Sequence, residues 1–128
     1  MSGFRTFNGL DPWAIFPGVE LHGIAGDQLF LGRVTYEPGT TVKRHSHEHT
    51  EQVMLVLDGA VEMTIGDETR ELGPGDTCVV NRLVEHELHS PRGVTFIEAL
   101  APVPLDHIPD RDRDLVLGDL QGSLHVER

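Results

Sequence analysis

Histidine is the residue type whose spacing suggests chemistry in this 128-residue chain. Of eight histidines, His45, His47, His49, His86 and His89 crowd into one stretch of β-like sequence. In an extended chain, residues two apart face the same side. His45 and His47, in Arg44-His45-Ser46-His47, can therefore aim their rings at one point. A neutral imidazole offers a lone pair near physiological pH and is the commonest metal ligand. Ligands from neighbouring strands would complete such a site. The alternative is a pair of surface histidines at a strand end. Other reactive groups are scarce. The one cysteine, Cys78, sits in Thr77-Cys78-Val79-Val80 and reads as a buried structural thiol. The one lysine, Lys43, is the only side-chain amine for a Schiff base, and nothing marks it as buried.

The elements that must hold these histidines are short strands. β-rich runs cover Gln28 to Glu37, Gln52 to Asp58, Ala60 to Ile65, Thr69 to Leu72, Thr77 to Asn81, His86 to Ser90 and Val94 to Ala101. Pro38-Gly39, Asp58-Gly59, Gly66-Asp67 and Gly73-Pro74-Gly75-Asp76 punctuate them with turn chemistry. Strands this short and this regularly interrupted predict an all-β sandwich or barrel. Val53-Met54-Leu55-Val56-Leu57 is apolar at every position, so both its faces are expected to be covered. One face would meet the barrel interior. The other would meet a second sheet or a partner subunit, which predicts a homodimer.

Length allows one domain. Residues 1–27 read as an N-terminal strap, 28–101 as the barrel, and 102–128 as a loop and tail of the same domain. The tail holds a charge run, Asp110 to Asp114, expected on a solvated face. Leu115-Val116-Leu117 and Leu124-His125-Val126 are candidate edge strands. Net charge is −11, which disfavours nucleic acid and anionic membrane surfaces as partners. No apolar run approaches a membrane span, and the first residues lack an apolar signal core. The expectation is a soluble, cytoplasmic protein with a small-molecule substrate. A single cysteine excludes an intrachain disulfide.

The order Gly39, five residues, His45, Ser46, His47, four residues, Gln52, six residues, Gly59 resembles the first motif of the cupin superfamily. That motif runs Gly-x5-His-x-His-x3-4-Glu-x6-Gly. Its six residues before the last glycine put the third ligand at Gln52, with Glu51 the alternative. Adjacent strand residues face opposite ways, so only one of the two should point inward. The looser second motif follows: Gly66 lies upstream, Pro74-Gly75-Asp76 forms the turn, and His86 falls on the motif's histidine. Asn81 stands where a proline is frequent. The resemblance covers 28–101. It implies a double-stranded β-helix, or jelly-roll barrel, with one divalent transition ion (Zn, Ni, Fe, Mn, Co or Cu) held by His45, His47, Gln52 and His86. His49 and His89 are expected outside the ligand set, and His22, His107 and His125 on the surface.

The neutral His-x-His-x4-Gln…His tetrad also resembles the pectin-degradation KdgF family and small cupin cyclases of aromatic polyketide pathways. Both imply metal-assisted rearrangement without a redox cofactor. The KdgF pattern Asp-x-Phe-x-Pro-x-Arg meets Glu98-Ala99-Leu100-Ala101-Pro102-Val103-Pro104 here. Glu98 can stand for the acid, but Leu100 replaces the aromatic and Pro104 the arginine that would hold a sugar carboxylate. The leading expectation is a metal-dependent lyase, isomerase or cyclase acting on a small oxygenated molecule, with Glu98 moving a proton. Its alternatives are a metal-dependent dioxygenase and a non-catalytic small-molecule-binding barrel. For Glu98 itself, the alternative is a pair with Arg33 or a solvent-facing position.

Overall fold

The computed structural model describes residues 3–104 and Val126–Glu127. Within them the chain is all strand, in the order β1 (Trp13–Phe16), β2 (Val19–Ala25), β3 (Phe30–Tyr36), β4 (Thr40–His45), β5 (Glu51–Gly59), β6 (Val61–Ile65), β7 (Glu68–Leu72), β8 (Thr77–Val80), β9 (His86–Ser90), β10 (Val94–Ala101) and β11 (Val126–Glu127). Two antiparallel sheets result. One orders its strands β1-β2-β3-β10-β5-β8, the other β11-β4-β9-β6-β7. This is the all-β arrangement predicted from the strand patterns, in the two-sheet jelly-roll form that the cupin resemblance implies. Residues 105–125, which include the charge run, Leu115-Val116-Leu117, His107 and His125, lie outside the described residues.

Strict alternation builds the interior. On β3, Phe30, Gly32, Val34 and Tyr36 turn inward while Leu31 and Thr35 turn out. On β10, Val94, Phe96, Glu98 and Leu100 take the inner positions. Phe30, Leu21, Met54, Val56, Val61, Val80 and Phe96 are the most deeply enclosed apolar side chains. Phe96 meets Tyr36 edge to face, with ring centroids 5.3 Å apart. Gly59, at the β5–β6 corner, has φ +77°, and a side chain there would overlap the Gly93 carbonyl. That close approach is a physical reason for glycine at this position.

The N-terminal segment is anchored from beneath. His22 Nε2 lies 2.9 Å from the Leu10 carbonyl, and its ring centroid lies 5.4 Å from that of Phe7. The Arg33 guanidinium stands 5.5 Å from the centre of the Phe7 ring. His22 is buried, so the expectation that it is a surface residue is overturned. The residues that cover it come from more than ten positions away.

The outer face of the first sheet departs from the usual polar-out pattern. Leu31, Ala99, Val53 and Val79 lie in one cross-strand row. Leu29, Leu31, Val53, Leu55, Leu57 and Val79 are all exposed. Among the described residues no second sheet covers them.

Candidate metal centre

The candidate centre forms where β4 and β9 meet. His45 and His86 are direct cross-strand partners, with ring centroids 4.2 Å apart. Register alone would not have put them there. Thr40 and Val42 face inward, so simple alternation would turn His45 out. A bulge between Val42 and His45 sets three steps of β4 against two of β9. It leaves Lys43 and Arg44 outside and swings His45 to the inner side. Arg44 secures this irregular stretch from outside, reaching the Gly66 carbonyl at 2.7 Å and Glu85 at 3.2 Å.

His47 lies beyond the end of β4, so a loop rather than strand pleat positions it. Its carbonyl accepts a 2.8 Å hydrogen bond from the Leu83 amide. Leu83 is the one non-glycine residue with positive φ, 69°, among those described. The turn before β9 thereby clamps His47 beside His86, with centroids 5.2 Å apart. One ligand-capable atom from each of His45, His47 and His86 lies within 4.8 Å of the others. Three imidazoles drawn from β4, the following loop and β9 could hold one metal ion.

The ring tautomers suit that role. His45 Nδ1 lies 2.6 Å from the Lys43 carbonyl and His86 Nδ1 lies 3.0 Å from the Val84 carbonyl. A carbonyl only accepts, so each Nδ1 carries the proton and each Nε2 keeps its lone pair. His86 is fully enclosed. Gln52 is buried, while its neighbour Glu51 is exposed. The Gln52 amide nitrogen donates to Glu98 Oε1 at 3.0 Å. That bond uses the amide's donor end, so its carbonyl oxygen could serve as a fourth ligand atom. Gln52 stands opposite Leu100, and Glu98 opposite Met54, so the two polar chains are diagonal neighbours on adjacent strands. Gly32 faces Glu98 across the β3–β10 ladder, where a Cβ would come within 2.9 Å of the Phe30 ring.

His45, His47, Gln52, His86 and Glu98 line one cavity with Val19, Leu21, Val34, Tyr36, Val42, Leu88, Leu100 and Pro104. Its free space, about 60 Å³, admits an ion with a few waters or a small ligand. Glu98 is a wall of this cavity rather than a partner of Arg33, whose guanidinium sits near His22 and Phe7. Leu100 and Pro104, the two departures from the KdgF pattern, face the same space. His49 and His89 are exposed, and His89 bonds Thr41 on the outer face. Cys78 is half-buried rather than fully buried as expected, and that partial burial raises its thiol above the ordinary range.

Tyr36 is the cavity residue that pattern reading passed over. The signal was present: it closes the inward series Phe30, Gly32, Val34, Tyr36. Burial, aided by the negative charge of Glu98, holds its phenol protonated far above the ordinary tyrosine range.

A family model described as a cupin domain matches residues 32–97. The Xanthan biosynthesis protein XanB of Xanthomonas campestris pv. campestris (strain B100) is 28% identical over 80 residues, covering 62% of this chain. Those residues span only 16% of XanB's length. Protein SchB of Streptomyces halstedii is 28% identical over 91 residues, 66% of each chain. Among solved structures, KdgF from Halomonas sp. superposes with a TM-score of 0.78 at 24% identity, covering 84% of this chain and 100% of that one. An RmlC-like cupin from Shewanella frigidimarina NCIMB 400 gives 0.77 at 21% identity, covering 84% and 97%. At these identities the likeness is one of fold. No helix among the described residues is long and apolar enough to cross a membrane.

Proposed function

Since this chain belongs to the cupin domain family, we propose that it is a metal-dependent lyase, isomerase or cyclase acting on a small oxygenated molecule. The supporting observation is the convergence of His45, His47 and His86 beside the Gln52–Glu98 pair in one cavity. A divalent ion held by Nε2 of His45 and His86, a ring nitrogen of His47 and the Gln52 carbonyl would supply Lewis acidity, polarising a carbonyl or hydroxyl oxygen. The chain's own groups do the rest. The Lys43 and Val84 carbonyls fix the His45 and His86 tautomers. Gln52 orients Glu98, and Glu98 Oε2 moves a proton to or from the bound molecule. Aliphatic walls exclude bulk water. A sugar acid is not the substrate proposed, because Leu100 and Pro104 offer a carboxylate no cation. A purely binding barrel needs no buried acid, and Glu98 in the cavity weighs against that reading.

Purified protein is expected to carry about one transition ion per chain by elemental analysis. Chelation should lower the melting temperature. At a hundredfold excess over Kd, a bound ion stabilises by roughly 3 kcal/mol, several degrees for a domain this size. Absence of metal, together with no thermal response to added Zn, Ni, Fe, Mn, Co or Cu, would sink the proposal.

We also propose a homodimer packed through the outer row Leu31, Val53, Leu55, Leu57 and Val79. Two such faces can cover each other in the manner of a sandwich. Sedimentation should give a dimer for the native chain and a monomer for a Val53→Lys, Leu55→Lys variant. A native chain that is monomeric at tens of micromolar contradicts it.

A further inference from the structure

Tyr36 is the chain's only tyrosine. It is 7% exposed and lines the same cavity as the three histidines and Glu98. Its ring is braced edge to face by Phe96. Val19, Leu21, Val34, Val42 and Leu88 give the same cavity aliphatic walls. A phenol that stays protonated is a donor wherever an acceptor is offered.

We propose that Tyr36 is a ligand-binding residue whose O–H donates to an oxygen acceptor on a small, apolar-bodied carbonyl compound held in the cavity. The inference rests on the metal-dependent reading above and narrows its substrate class. Aliphatic walls leave buried hydroxyls unsatisfied, so a polyhydroxylated body is disfavoured. Tyr36 and the histidine cluster would each orient the ligand within the one cavity.

The single tyrosine makes the test specific. Protein labelled with ¹³C at tyrosine Cζ is loaded with zinc, and zinc uptake is measured before any ligand is added. Pentane-2,4-dione is then titrated, with 1,3-dihydroxyacetone as the hydroxylated comparison. The Cζ signal should shift saturably with the dione. Tyr36→Phe should keep its zinc and its melting temperature but bind the dione about tenfold more weakly, the loss of one hydrogen bond. Dihydroxyacetone should bind more weakly still. The proposal is overturned if the dione does not bind, if it binds without moving the Cζ signal, if Tyr36→Phe binds it within twofold of the native chain, or if dihydroxyacetone binds more tightly. Should Tyr36→Phe misfold, the Cζ shift in the native chain decides alone. Failure to take up zinc is a separate result, and it removes both the metal reading and this inference.

Discussion

His86→Ala is expected to abolish metal binding and to destabilise the metal-free fold, whereas His47→Ala should do only the first. Both imidazoles belong to the same cluster, but their surroundings differ. His86 is fully enclosed, bonded to the Val84 carbonyl and in tilted contact with the His45 ring. Truncating it opens a void in the floor of the second sheet and leaves the part-buried Val84 carbonyl without its partner. Large-to-small changes at such positions cost about 2–5 kcal/mol, and the lost hydrogen bond adds to that. His47 is only half-buried and lies outside any strand. Its truncation should leave metal-free stability within about 1 kcal/mol, since changes away from packed cores are small. His49→Ala, at an exposed side chain, should change neither quantity. Elemental analysis and melting curves in chelator separate the cases. Native metal content in either His86→Ala or His47→Ala would remove the histidine cluster as the ligand set.

The way the site is assembled also explains how much of it could be read from residues alone. Turn dipeptides and alternation placed β5 through β10 to within a residue or two, because those signals are local. The spacing to Gly59 singled out Gln52, and the strand pleat duly buries it and exposes Glu51. The pairing of His45 with His47 was anticipated from strand alternation, but the cause is different. A bulge turns His45 inward and the Leu83 turn holds His47. Neither device has a sequence signature at this resolution, since a bulge depends on the partner strand's register. His22 was misplaced for a similar reason: its cover, Phe7 and Leu10, arrives from a segment with no regular pattern. The continuous apolar run of β5 was legible as two-faced. Which face meets the interior was settled by the register with β10, where Met54 stands opposite Glu98.

Glu98→Gln should leave metal content and folding intact while stopping proton transfer. The substitution preserves volume, and a glutamine oxygen can still accept from the Gln52 amide across the 3.0 Å contact. What disappears is the only carboxylate among the described residues lining the cavity. A positioned acid or base typically contributes about 10²–10⁴-fold. Zinc-loaded protein can be assayed without knowing the natural substrate, by NMR of deuterium exchange into the α-carbons of butanone in D₂O. Catalysed exchange should fall at least a hundredfold in Glu98→Gln. Glu98→Ala should behave differently, because it also leaves the buried Gln52 amide without its acceptor, at a cost of about 1–3 kcal/mol. It should therefore lose metal affinity as well as exchange. Gln52→Glu tests the same contact from the other side. It would put two carboxylates within hydrogen-bond distance, an arrangement that holds only if they share a proton. If Glu98→Gln retains full exchange activity, proton transfer belongs to another group, and Glu98 is reduced to orienting Gln52.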